Sequence, residues 1–146
     1  RTRGDQGYRD ASAADHLDVL ELHQQIRSLP KPVIAMVHGP AIAGGCGLAT
    51  VCDVIIAGRE NAVFGYSEVK IGFIPAIVMV YLLRKVGDTQ ARRLILTAKN
   101  ISPEEAQDIG LVSYVVDDDQ LEHETMELAR LMARNSSSAM AMAMKS

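Results

Sequence analysis

The chain has 146 residues, of which 48% are hydrophobic and 23% are charged, a composition usual for a protein with a buried core. The formal net charge is −3 and no basic stripe is present, which argues against nucleic acid as a partner. No apolar run reaches the roughly 18 residues that span a bilayer, so we expect no membrane segment. Two cysteines, Cys46 and Cys52, are too few for a disulfide framework and favour a reducing, cytoplasmic setting.

The beginning of the chain predicts a lead-in followed by a helix. Residues 1–15 are polar and contain glycine, which is typical of a mobile lead-in or loop. They include no initiator Met, so we expect the chain to start inside a longer protein. A helix is predicted from about residue 16 to residue 29, because apolar side chains recur there at spacings of three and four: Val19, Leu22, Ile26 and Leu29. Pro30 and Pro32 end that helix.

The next segment has the pattern of a strand, a helix and a second strand. Residues 33–37 are a branched apolar run that predicts a strand buried on both faces. The Gly39-Pro40 pair predicts a turn, and residues 43–47 predict a loop of small residues before a short buried helix that ends near Cys52. A second buried strand is expected at residues 54–57. This order implies that the two strands pair in parallel.

The second half of the chain is predicted to be mainly helical. Residues 63–65 predict a short strand and 67–75 a loop, and two helices at 76–86 and 89–97 are separated by Gly87-Asp88. Ser102, Pro103 and Glu105 have the spacing of a capping box with proline at the first helical position, and Gly110 closes the short helix that follows.

The end of the chain predicts one further strand and a long helix. Residues 111–116 read as the strand, and the aspartates at 117–119 favour the N-terminus of a helix that runs to about Arg134. We therefore divide the chain into the lead-in at 1–15, a core at 16–116 and a C-terminal helical segment at 117–146.

The glycine-rich stretch at residues 43–47 is the first candidate for chemistry. Glycine lets another molecule approach the backbone, and unpaired N–H groups at a helix N-terminus attract a developing negative charge. The alternative is that these glycines only allow close packing of helix and strand. The stretch matches neither a phosphate-binding loop nor a dinucleotide fingerprint.

Glu68 is the second candidate, because a carboxylate between apolar neighbours can act in proton transfer if burial raises its pKa. The alternative is an ordinary exposed glutamate. The four histidines have no metal-ligand spacing, so we expect no metal site, and we expect His16, His23 and His123 to be solvated. The alternating methionines at 140, 142 and 144 indicate a helix that packs on a partner or on the core.

Four stretches taken in order resemble the signature of the enoyl-CoA hydratase/isomerase superfamily, also called the crotonase superfamily. They are residues 31–39, residues 43–57 with Gly44-Gly45-Cys46-Gly47, residues 64–75 with Glu68, and residues 96–112. The resemblance extends from about residue 16 to residue 144. It implies an α/β fold, a crotonase-like spiral of ββα units with C-terminal helices, whose N-terminal part lies upstream of residue 1.

The resemblance also implies a substrate and an assembly. The substrate is an acyl-CoA thioester, with no separate cofactor because coenzyme A is part of the substrate, and the expected assembly is a homo-trimer or hexamer. In this family two backbone N–H groups hold the thioester oxygen. Gly44 matches the second donor, and the first would lie upstream of residue 1. Glu68 matches the catalytic acid/base, and substrate-binding positions are implied at Gly45, Gly47, Tyr66 and Pro75.

The expected activity is the hydration of a 2-enoyl-CoA, with double-bond isomerisation as the alternative. Well-known hydratases of the family carry two glutamates, and the first of these positions is Gly47 here. A single carboxylate suffices to move a proton between two carbons, which is what an isomerase needs. The residues around Glu68 nevertheless resemble a hydratase subgroup that acts on branched enoyl-CoA esters such as methylglutaconyl-CoA. A non-catalytic scaffold protein and a different acyl-CoA reaction on the same fold are further alternatives.

Overall fold

The computed structural model describes residues 21–67, 76–135 and 137–145. The first described element is helix α1 at residues 21–28. The elements after α1 are β1 (Ile34–Val37), β2 (Pro40–Ile42), α2 (Gly44–Thr50), β3 (Val54–Gly58), β4 (Val63–Gly65), α3 (Ala76–Thr97), α4 (Pro103–Asp108), β5 (Tyr114–Val116), α5 (Leu121–Ala133) and α6 (Ser137–Lys145).

Two small parallel sheets organise the fold. The first has the strand order β1-β3-β5, with Ile34 opposite Val54 and Ile56 opposite Tyr114. The second pairs β2 with β4, so that Ala41 lies opposite Phe64. The predicted parallel pairing of the strands at residues 33–37 and 54–57 is confirmed by the pairing of β1 with β3.

The first strand differs from its prediction in burial. Residues 33–37 were expected to be buried on both faces, but Met36 is 42% exposed and only Val37 within β1 is fully buried. An apolar run cannot reveal which of its faces receives a covering element, since that is decided by the packing of other segments. A second difference concerns Pro40, which was expected in a turn but begins the strand Pro40–Ile42. Its parallel partner β4 lies more than 20 residues away in sequence, so local patterning gave no sign of it.

The helices follow their sequence signals closely. Helix α3 is interrupted at Gly87, whose φ of 81° and ψ of 169° are not helical, so the expected separation of two helices is confirmed. Ser102 caps α4, because its side chain accepts from the N–H of Glu105 at 3.1 Å, and Pro103 occupies the first turn. The Glu105 carboxylate pairs with Arg93 at 3.0 Å, and Gly110 at φ 91° ends this segment.

The last strand begins three residues later than predicted. Strand β5 covers Tyr114–Val116 only, because Leu111 and Val112 pack into the core instead of extending the strand. The aspartates before α5 tie loops together: the Asp118 carboxylate accepts from the N–H of Glu60 and from the Asn61 amide. The acidic residues in the first turn of α5 are Glu122 and Glu124.

The core is mainly aliphatic, with the two aromatic residues Phe64 and Tyr66, and lies between the sheets and the helices α2, α3 and α4. Its largest fully buried members include Phe64, Ile55, Leu82 and Leu94. Helix α5 lies against β1 and β3, and α3 contacts α2. Within the described ranges, no helix is both long and apolar enough to cross a membrane.

Helix α1 presents a different face from the expected one. Leu22 and Leu29 are 42% and 50% exposed, whereas His23, predicted to be solvated, is completely buried. The face directed inward carries His23 and Arg27, four residues apart, so the periodicity of apolar residues was misleading here. The predicted members His16 and Val19 lie outside the described residues. His123 is exposed, as expected.

Candidate functional site

The turn between β2 and α2 is the centre of the candidate site. Ala43 joins the two elements with φ 55° and ψ −120°, a conformation that residues with a Cβ rarely adopt. Two hydrogen bonds hold it there. The Ala43 N–H donates to the carbonyl of Gly65 at 2.9 Å, and the Ala43 carbonyl accepts from the N–H of Gly47 at 2.9 Å. The end of β4 therefore fixes the point at which α2 starts.

Gly44 and Gly45 form the exposed first turn of α2. The loop predicted at residues 43–47 is thus helical from Gly44 onward, a correction that follows from the single-residue turn at Ala43. Because the first hydrogen bond of this helix is donated by Gly47, the N–H groups of Gly44 and Gly45 precede the helical ladder. A Cβ built on either glycine would meet no heavy atom of the described residues within 4 Å. Both glycines are exposed in this part of the chain.

The next turn of α2 faces the interior. Cys46 and Gly47 are buried, and neither Cys46 nor Cys52 is joined in a disulfide within the described part of the chain. Gly47 has no side chain to reach an adjacent ligand. The described part of the turn consequently brings backbone donors, and no carboxylate, to this end of α2.

Tyr66 connects β4 to the helix. Its side chain is 1% exposed, and its hydroxyl bonds to Thr50 Oγ1. Thr50 Oγ1 itself donates to the carbonyl of Cys46 at 2.7 Å, so Tyr66 is the donor in the bond between the two hydroxyls. The geometry gives Tyr66 a role in holding the segment before Glu68 against α2. A direct contact with substrate stays a prediction for this residue.

Glu68 and Pro75, the remaining predicted site residues, lie outside the described residues. Gly65, which accepts the hydrogen bond from Ala43, precedes Glu68 by three positions. The chain therefore enters the segment that contains Glu68 directly beside the glycine turn.

The opposite end of α2 carries charged residues that the sequence patterns did not single out. Lys85 Nζ donates to the carbonyl of Cys52 at 2.7 Å, and Arg27 Nη1 lies 3.4 Å from the carbonyl of Val51, the C-cap residue. Burial lowers the pKa of Lys85 and raises the pKa of the Cys52 thiol. Residues 27, 52 and 85 are far apart in the chain, and only the fold reveals that they are neighbours.

Arg27 is held from two sides. Its guanidinium stacks 4.2 Å above the centre of the Tyr81 ring and lies 3.4 Å from the carboxylate of Asp53. The other oxygen of Asp53 accepts from the N–H of Val33 at 2.8 Å. This pair therefore links α1 to the start of β1.

Cavities of about 320, 380 and 230 Å³ lie along α5, between α5 and α6, and beside α1. None of these three cavities is lined by Gly44 or Gly45. In the described part of the chain, no group of three or more histidine, cysteine, aspartate or glutamate side chains could hold a metal ion.

Two relatives and two solved structures resemble the chain over most of its length. A provisionally named enoyl-CoA hydratase of Thermus thermophilus is 41% identical over 119 residues, covering 82% of this chain and 47% of the relative. A mitochondrial protein of Dictyostelium discoideum, named a probable enoyl-CoA hydratase, is 42% identical over 127 residues, covering 86% of this chain and 46% of the relative. The chain thus spans about half the length of these curated relatives.

The two structures differ in the reaction that their names state. A monofunctional enoyl-CoA isomerase of M. smegmatis superposes with a TM-score of 0.78 at 35% identity, covering 87% of this chain and 60% of that one. An enoyl-CoA hydratase of Bacillus anthracis superposes with a TM-score of 0.82 at 34% identity, covering 91% of this chain and 53% of that one. The predicted crotonase-like fold is confirmed.

The family model described as enoyl-CoA hydratase/isomerase matches residues 3–146. This match covers nearly the whole chain and agrees with both relatives and both structures. The chain belongs to the enoyl-CoA hydratase/isomerase family.

Proposed function

We propose that this protein adds water to the double bond of a 2-enoyl-CoA thioester. The observation that carries the proposal is the turn at Ala43, which leaves the N–H of Gly44 open at the N-terminus of α2 in a member of this family. Addition of water at the β-carbon places negative charge on the thioester oxygen. The Gly44 N–H donates a hydrogen bond to that oxygen, and the helix end behind it supplies further positive potential.

Glu68 is the acid/base in this proposal. It exchanges a proton with the attacking water or with the α-carbon. The support is the connection between Gly65 and Ala43, since three residues span at most about 10 Å of extended chain. Tyr66 and Thr50 hold the start of this segment against α2.

The remaining parts of the site and of the assembly are included in the proposal. Gly45, Gly47, Tyr66 and Pro75 contribute to the substrate groove, and another backbone N–H holds the thioester oxygen together with that of Gly44. The substrate carries coenzyme A, so no separate cofactor takes part. The protein acts in the cytoplasm as a homo-trimer or hexamer.

Double-bond isomerisation is the second candidate, and the absence of a side chain at Gly47 favours it. Hydration is easier when one carboxylate orients the water and another delivers the proton, whereas one carboxylate suffices to move a proton between two carbons. Both curated relatives carry a hydratase name, and for this reason hydration is the first choice. Conversion of a 3-enoyl-CoA without any hydration of crotonyl-CoA would select isomerisation.

The decisive experiment replaces Glu68 by Gln in the full chain. Turnover of crotonyl-CoA, followed as loss of the enoyl thioester absorbance, should fall about a hundredfold to ten-thousandfold, because the proton-transfer group is removed. Thioester binding should stay nearly unchanged. The control is Glu122→Gln, which neutralises an exposed glutamate at the start of α5. Normal rates of hydration and isomerisation in Glu68→Gln would refute the proposed role, and an inactive wild-type protein would favour the non-catalytic scaffold.

A further inference from the structure

The charge at the C-terminal end of α2 is not balanced. Arg27 and Asp53 form an ion pair at 3.4 Å and nearly cancel each other. Lys85 takes part in none of the salt bridges found among the described residues, and its ammonium group donates to the carbonyl of Cys52, one residue beyond the C-cap. A net positive charge therefore lies at this end of the helix.

This charge acts along a short helix. Helix α2 has seven residues, which corresponds to a length of about 10 Å. Its peptide dipoles place partial positive charge near Gly44 and partial negative charge near Val51. A cation beside Val51 opposes the negative end, and the potential that an anion experiences at Gly44 becomes more positive.

The surroundings strengthen the effect of the Lys85 charge. Its side chain is largely buried, so water screens it less than it would screen a surface lysine. Burial of an ammonium group costs free energy, and it also lowers the pKa of Lys85. A methionine would fill the same space without that cost. The hydrogen bond to the Cys52 carbonyl offsets part of that cost.

We propose that Lys85 is a positioning residue for the reaction: its charge at the C-terminal end of α2 increases the capacity of the Gly44 N–H to stabilise the thioester oxyanion. The inference rests on the proposed function. Lys85 does not touch the substrate in this arrangement, and it acts entirely through the helix to which it is bonded.

The test combines kinetics with a measure of carbonyl polarisation. Lys85→Met and Lys85→Gln both remove the charge, Gln retains a donor for the Cys52 carbonyl, and Lys85→Arg retains the charge. Arg92→Met is the matched control, because Arg92 is an exposed cation on the same helix that pairs with Asp88 at 2.9 Å. For each full-chain variant we would measure kcat and KM for crotonyl-CoA and the thermal unfolding midpoint. We would also measure the frequency of the infrared carbonyl band of bound, carbon-13-labelled butyryl-CoA. This saturated thioester cannot be hydrated, so its band reports how strongly the site polarises the carbonyl.

We expect both neutral variants to lose roughly three- to tenfold in kcat with little change in KM, since a unit charge about 10 Å away acts mainly on the charged transition state. Their carbonyl band should return part of the way toward its frequency in free butyryl-CoA. Lys85→Arg should recover both quantities, and the unfolding midpoints of the neutral variants should equal or exceed that of the wild type.

Several outcomes would overturn the inference alone. A wild-type carbonyl band that is shifted on binding, with the same shift and the same kcat in Lys85→Met, would leave the proposed function intact and remove the role of Lys85. Failure of both neutral variants to fold, while Lys85→Arg folds, would show that the lysine serves stability. A wild-type band without any shift on binding would instead contradict the proposed oxyanion site at Gly44.

Discussion

His23 is a buried polar residue, and neither of its ring nitrogens has a hydrogen-bond partner among the residues that the structure describes. An unpaired buried polar group costs stability, commonly about 1–3 kcal/mol. The same burial lowers the pKa of His23, because the charged imidazolium loses its hydration. Its neutral form is therefore the one that the fold accommodates.

The first prediction concerns acid stability. The unfolded chain titrates His23 near pH 6.5 and the folded chain titrates it lower, so the unfolded state binds more protons between these two values. The contribution of neutral His23 to the free energy of unfolding has its full value above about pH 6.5. It is lost as the pH falls through the folded pKa, and the free energy of unfolding then decreases by up to about 1.4 kcal/mol per pH unit.

His23→Met should raise the free energy of unfolding and flatten this part of its pH profile, as measured by denaturant titration of the full chain between about pH 5 and 7. The exposed His123→Met serves as the control and should retain the wild-type slope. An identical acid slope in His23→Met and wild type would contradict the prediction.

The backbone conformation of Ala43 is the second informative feature at the residue scale. Its positive φ is strained for a side chain with a Cβ, yet its N–H and its carbonyl are both engaged, by Gly65 and by Gly47. The strain is thus held by the surrounding strands at the point where α2 opens to solvent. Such strain is common at functional sites, which agrees with the proposed role of Gly44.

At the level of elements, α4 shows how much a local signal can decide. Ser102, Pro103 and Glu105 predicted both the start and the cap of the helix, and the Ser102 side chain indeed accepts from the N–H of Glu105. Helix caps depend on contacts between residues that are close in sequence, so their pattern is readable before the fold is known.

Ser102→Ala should lower the free energy of unfolding by about 1 kcal/mol, because the N–H of Glu105 loses its acceptor. Ser102→Asp keeps a capping oxygen and should retain most of the wild-type stability. Urea unfolding measures both changes, and the exposed Ser113→Ala should have almost no effect. Equal stability of Ser102→Ala and wild type would mean that the cap contributes nothing.

On the scale of the whole molecule, several large apolar side chains are left exposed on the C-terminal helices. Met126 and Leu131 of α5 are 47% and 53% exposed, and Met142 of α6 is 73% exposed. Exposed apolar surface favours association. The assembly implied by the family resemblance, a homo-trimer or hexamer, is compatible with such surfaces.

Light scattering coupled to gel filtration should therefore give a molar mass three or six times that of the full chain. The mass should persist in high salt, because apolar contacts are not screened by ions. A mass equal to one chain at micromolar concentration would exclude the trimer and the hexamer.

The sequence alone determined the features that depend on short stretches of chain. These are the family, the strands on either side of α2, the break at Gly87 and the cap at Ser102. The glycines at 44 and 45 were recognisable in the same way, because their spacing and small size are local properties. The assignment of Gly44 and Glu68 to catalysis remains a prediction from the family pattern.

Only the tertiary structure decided which faces are buried and which distant residues meet. It brought β2 beside β4, turned His23 inward, exposed Met36 and placed Lys85 against the end of α2. The physical reason is that burial and long-range pairing depend on the summed packing of elements far apart in sequence. The periodicity within a single segment does not contain that information.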